Sequence, residues 1–202
     1  MLLRITILAC FGAIAALGMV LLHALRVPFP QPQLDPAQWS TLGFATILSA
    51  HVVLLIHELG HVAGGWLAGY RLRELTVGPL TALRGDAGIR IAANRRLTHY
   101  GGLVRMMPSD AVESRARTAL QFACGPGASI LVGVAVTMIG VRWLADPSVA
   151  ESGFRSYLIA KQFNVIGAGS IVVGLANLVP VTFGDRLSDG ARLWQLLERS
   201  DT

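Results

Sequence analysis

His57, Glu58 and His61 stand together in the stretch VVLLIHELGHVAGGWLAG, residues 52–69. On a helix, residues four apart lie on one face, so His57 and His61 can offer their imidazoles to one metal ion. Glu58 is turned around the helix from that pair and can reach a metal-bound water rather than the ion. Zinc accepts nitrogen and oxygen ligands in a tetrahedral arrangement, and a catalytic site leaves one position for water. Zinc lowers the pKa of such a water to about 7, and a glutamate can take its proton as it attacks a carbonyl. The chain has five histidines and five glutamates among 202 residues. At that frequency the pattern arises by chance roughly 0.003 times, so coincidence is the weak explanation. His23, His51 and His99 stand alone and read as packed or interfacial residues.

Two histidines and a water need a further ligand. The stretch GLANLVPVTFGDRLSDGARLWQLL offers Asp185 and Asp189, both after Pro180, which ends or kinks the preceding apolar segment. An aspartate there can instead cap the next helix, and Asp189 suits a cap well. One of the two can cap while the other ligates.

The surroundings of these residues are unusual for such chemistry. The chain is 53% hydrophobic and only 14% charged, against about 25% charged in ordinary soluble domains. Four apolar segments are long enough to cross a bilayer, from about residues 5–25, 42–68, 119–144 and 157–181. The first is longer than the apolar part of a signal peptide and lacks a clean small-x-small cleavage site, so it reads as a retained helix. The stretch RVPFPQPQLDPAQ, with four prolines, reads as an irregular linker. Ionisable residues at bilayer depth are costly and usually functional, which singles out His57, Glu58 and His61 again. Gly60, Gly64 and Gly65 keep part of that helix small, so that a second helix or a substrate can come close.

Charge orients the segments. Residues 71–117 hold nine arginines against Glu74, Asp86, Asp110 and Glu113, and loops rich in Lys and Arg stay in the cytoplasm. The formal charge of +5 therefore speaks for membrane topology and not for nucleic acid. Both termini then face the cytoplasm, with four crossings. Within residues 71–117, short alternating runs punctuated by Gly85, Gly88, Gly101 and Gly102 predict two to four short strands or hairpins at the membrane surface. Their arginines form a solvated, orienting face and can also meet anionic headgroups. Cys10 and Cys124 lie in apolar segments and read as buried thiols. The expected fold is an all-α integral membrane bundle of about four helices, with a small β-hairpin or strand region on the cytoplasmic side. It forms one domain over residues 1–202: an additional N-terminal helix in 1–26 and a core in 42–197.

HELGH in an apolar helix, NLVP closing a later one and a downstream Asp-Gly pair resemble the site-2 protease family of intramembrane zinc metalloproteases. The resemblance covers about residues 42–197. It implies one zinc ion per chain bound by His57, His61 and Asp189, with Glu58 activating the water. It also implies that Asn177 lies near bound substrate and that FACGPG is the family's Gly-Pro element. Two positions depart from the family pattern. The aspartate eight residues after the asparagine is Asp185, followed by Arg186, whereas the Asp-Gly pair is Asp189-Gly190. The pair is followed here, because glycine permits a close backbone turn beside the ion. Ser129 stands where an asparagine often follows the Gly-Pro element.

The resemblance further implies a multi-pass protein of a bacterial inner membrane. Its partners would be the lipid bilayer and a transmembrane protein or peptide substrate, cut near the cytoplasmic face, with no nucleic acid. The rival readings are a non-catalytic membrane binding or chaperone protein with a structural zinc site, and a zinc hydrolase of a non-peptide substrate. A structural site has no need of a general base at Glu58. The orientation is checked by thiol labelling in a Cys10→Ser, Cys124→Ser background. Arg95→Cys should label from the cytoplasm and Gln33→Cys from the opposite side, and the reverse pattern would refute the assignment.

Overall fold

A computed structural model describes residues 33–96, 99–109, 114–144, 146, 149, 153–183 and 186–198. The expected N-terminal helix and Asp185 lie outside the described residues. In order, the elements are α1 (Pro36–Leu67), β1 (Tyr70–Val77), β2 (Leu80–Gly85), β3 (Gly88–Ala93), β4 (Leu103–Pro108), α2 (Arg115–Leu144), α3 (Phe154–Leu178), β5 (Thr182–Phe183), β6 (Arg186–Leu187) and α4 (Asp189–Glu198). Helices α1, α2 and α3 are each long and apolar enough to cross a membrane. The expected helices with a small strand region are met in part: three helices rather than four are of membrane-crossing length among the described residues, and the strand region is a four-stranded antiparallel sheet.

Helix α1 begins earlier than the hydrophobic run suggested. Asp35 Oδ1 accepts the Gln38 amide at 2.8 Å, and Gln38 Oε1 accepts the Asp35 amide at 3.1 Å. This reciprocal cap, with Pro36 in the first helical position, turns the end of the proline-rich linker into a helix start. At the other end Gly69, at φ 80°, stops the helix and sends the chain into β1. Phe44, Ile47, Leu48, Val52, Leu55 and Leu59 of α1 are all exposed. Their exposure accords with a helix long and apolar enough to cross a membrane.

The sheet order is β3-β2-β1-β4. Strand β1 pairs with β2 through Thr76↔Thr81 and with β4 through Leu75↔Val104, with a register shift between Leu72 and Glu74. The pairings Ala82↔Ile91 and Arg84↔Ile89 continue the register into β3. Directly paired residues share a face, so Leu75, Ala82, Ile91 and Val104 lie on one side. Thr76 and Thr81 share the other side, where their buried hydroxyls meet at 2.9 Å. The loop from β3 to β4 is tied back to the β1–β2 turn. Asn94 Nδ2 donates to the Gly78 carbonyl at 2.8 Å, and the Gly78 amide donates to the Tyr100 carbonyl at 3.2 Å.

The chain divides into two compact units, one of residues up to Val52 with Leu131–Val172, the other of Val53–Ile130 with Val173 onward. In the first, Gly133 meets the Gly167 carbonyl and Ile171, and Gly140 meets Phe163, so α2 and α3 approach through small residues. Ser49 Oγ also donates to Gln162 Oε1 at 2.8 Å. In the second, Gly60 of α1 lies against the Cys124 carbonyl and Gly64 against the Cys124 side chain, while Gly65 receives Met106 of β4. The glycines singled out in the sequence are thus contact points.

A methyl group at Gly60 would collide with backbone of α2, whereas one at Gly43 meets nothing within 4 Å. Gly60→Ala should destabilise the folded protein by about 1–3 kcal/mol through overpacking. Gly43→Ala should be neutral or stabilise it by up to about 1 kcal/mol through helix propensity. Thermal unfolding in detergent micelles reads both, and equal melting temperatures would contradict the contact.

Candidate metal centre

Helix α1 presents His57 and His61 one turn apart, their rings edge to face with centroids 4.9 Å apart. Asp189 is the first residue of α4, where the positive end of the helix dipole favours a carboxylate. Its Oδ2 lies 3.1 Å from His57 Nε2 and 3.2 Å from His61 Nε2, and the two Nε2 atoms are 3.2 Å apart. All three residues are buried, and their ligand atoms are close enough together to hold a metal ion.

The rear edges of the imidazoles decide what the front edges can do. His61 Nδ1 lies 2.9 Å from the Gln121 carbonyl, which only accepts. In the neutral ring that nitrogen must carry the proton, which leaves a lone pair on Nε2 facing the Asp189 oxygen. Two lone pairs at 3.2 Å repel unless a proton or a cation lies between them. The donor set therefore fits a divalent cation: two imidazole nitrogens and one carboxylate oxygen, a combination that suits zinc.

Helix α2 supplies the wall behind the histidines. Gly125 packs against the His61 ring so closely that any Cβ there would overlap it. Ser129, one turn on, lies 3.1 Å from His57 Nδ1. Pro126 sits between them inside α2. The Gly-Pro element therefore serves as the close surface against which α1 packs its ligands. Phe122 meets the His61 ring edge-on with centroids 6.4 Å apart, and the Arg192 guanidinium lies 5.0 Å from the Phe122 centroid.

The turn after Pro180 is held by Ser188. Its hydroxyl donates to the Val179 carbonyl at 2.7 Å and accepts the amides of Val181 and Ala191, each at 3.1 Å. Ser188 is therefore the cap of α4, and the Asp189 carboxylate is left for the cluster. Gly190 lies directly against the Leu178 carbonyl, where a side chain would clash. This close approach at the end of α3 gives the Asp-Gly pair its physical reason.

Glu58 is only 7% exposed and lies on the same helix, one residue from His57. Its carboxyl group touches Gly102, which has φ 109° and begins the approach to β4. No other residue type tolerates both the backbone angle and the contact. Asn177 donates its Nδ2 to the Val173 carbonyl at 3.0 Å, so the amide is bonded to its own helix. His51 Nδ1 bonds the Ile47 carbonyl at 2.7 Å, and neither it nor His99 belongs to the cluster. Sequence patterns give Ser129, Gln121 and Ser188 no role and read Gly102 only as a break between strands. A serine just before the Asp-Gly pair was a readable cap signal; a backbone carbonyl such as that of Gln121 carries none.

Comparison with family models, curated proteins and solved structures gave no match.

His57→Ala, His61→Ala and Asp189→Asn should each lose most bound metal, since two remaining ligands hold a zinc ion weakly. Metal analysis of the purified variants checks this. Full occupancy in all three would remove the ion from this cluster.

Proposed function

We propose that the protein is an intramembrane zinc metalloendopeptidase of the site-2 protease kind, cutting membrane-embedded proteins near the cytoplasmic face. The observation that carries the reading is a buried glutamate, Glu58, beside a three-residue metal-binding group. Both His ligands and Glu58 lie on a helix long and apolar enough to cross a bilayer. His57, His61 and Asp189 would hold zinc, which when bound supplies a Lewis acid for water and for the scissile carbonyl.

Glu58 does the proton work. Its carboxylate accepts a proton from the attacking water as the new C–O bond forms. The same group then returns that proton to the amine nitrogen as the C–N bond breaks. Gly102 against the carboxyl keeps Glu58 from swinging away. Strand β4 is at the edge of the sheet, and the turn at its start reaches Glu58. A helical substrate must unwind locally to expose a peptide bond. An extended segment added to the β4 edge would have its backbone hydrogen bonds satisfied beside the carboxylate. A scaffold with a purely structural ion gives no reason to bury a glutamate here, which weighs against the non-catalytic alternative.

Glu58→Gln preserves size and most hydrogen bonding but removes the proton acceptor. Zinc content should stay at one per chain while cleavage of a membrane-spanning substrate falls by about 10²–10⁴-fold. Normal cleavage by this variant, measured in proteoliposomes, would refute the mechanism.

A further inference from the structure

We infer that Ser129 is a positioning residue for the metal centre, accepting the Nδ1 proton of His57 and so keeping the Nε2 lone pair directed at the cluster. The inference rests on the metal-centre reading above and extends it to a residue outside the ligand set.

The two imidazoles are supported in chemically different ways. Behind His61 stands the Gln121 carbonyl at 2.9 Å, an acceptor in every circumstance, so the His61 tautomer is set by the backbone. Behind His57 stands the Ser129 hydroxyl at 3.1 Å, which can donate or accept. If Ser129 donated to Nδ1, the remaining ring proton would sit on Nε2. That proton would point into the space shared with Asp189 Oδ2 and His61 Nε2, and His57 could not ligate. If Nδ1–H donates to Ser129 Oγ, all three front atoms carry lone pairs. A hydroxyl oxygen has lone pairs to accept that proton, and its own O–H can rotate away from the ring.

Among the described residues His57 is the side chain that meets this hydroxyl. Ser129 is 0% exposed. Gly174 of α3 comes so close that a Cβ added there would stand 3.1 Å from Ser129 Cβ and 2.8 Å from the Pro126 carbonyl. The serine is thus confined between the His57 ring and the glycine of a third helix. A hydrogen bond behind a ligating histidine fixes ring orientation and raises ligand basicity, and losing it typically costs 10–100-fold in metal affinity. The serine at this position keeps a polar function despite its departure from the family's asparagine.

The test is zinc affinity of the full chain in detergent micelles, measured by competition with a chromophoric chelator. Ser129→Ala, which preserves the packing beside Gly174, should bind zinc about 10–100-fold more weakly than the parent. The second readout is the His57 tautomer: ¹⁵N NMR of imidazole-labelled, metal-free protein should show the proton fixed on Nδ1 in the parent and no longer fixed there in Ser129→Ala. Parental affinity in the alanine variant overturns the inference while leaving the metal centre intact. Weaker zinc binding with an unchanged His57 tautomer also overturns it, because packing rather than the hydroxyl would then be responsible. A parent that takes up no zinc overturns the metal-centre reading and this inference together.

Discussion

Three atoms that would rather not be neighbours meet in the second compact unit: His57 Nε2, His61 Nε2 and Asp189 Oδ2, at 3.1–3.2 Å from one another. With the rear nitrogen of His61 donating its N–H to the Gln121 carbonyl, the lone pair on the front nitrogen faces a carboxylate oxygen. A cation turns that repulsion into the strongest local attraction available. Much of the second unit serves to impose the convergence. Gly60, Gly64 and Gly125 let α1 and α2 come close, Gly60 against the Cys124 carbonyl, Gly64 against the Cys124 side chain and Gly125 against the His61 ring. The Ser188 cap and the Gly190 contact fix where α4 begins, and so where Asp189 points.

The sheet adds a second constraint on the same site. It starts after only two intervening residues, Ala68 and Gly69, and returns along β4 past Gly102, which touches Glu58. A glutamate buried in an apolar helix would otherwise be free to adopt several rotamers, and contact with a fixed backbone limits that choice. In the proposed mechanism this matters as much as the ligands do, because proton transfer requires the base within hydrogen-bond reach of water.

What the sequence disclosed follows from the range of each interaction. His57 and His61 are four apart on one helix, so their shared face is a local consequence of helix geometry. The glycines at 60, 64 and 65 and the alternating runs of residues 71–107 are also local signals, and they mark real contacts and strands. The pairing of Asp189 with histidines 128 and 132 residues earlier is not local. Only the Asp-Gly pair and its resemblance pointed to it. The role of Ser129 is not legible in the sequence because its partner, His57, is 72 residues away and on another helix. The start of α1 at Pro36 was missed for a different reason: proline density suggested a linker, but a proline in the first turn behind an Asp cap begins a helix.

The central claim is that these three side chains hold a catalytic zinc ion. X-ray absorption at the zinc K edge of the purified, metal-loaded protein tests it most directly. The account predicts four nitrogen or oxygen neighbours at about 2.0–2.2 Å, with imidazole outer-shell scattering from two rings and no sulfur. A sulfur neighbour at about 2.3 Å, such as Cys124 would supply, or a shell without imidazole scattering, would contradict it.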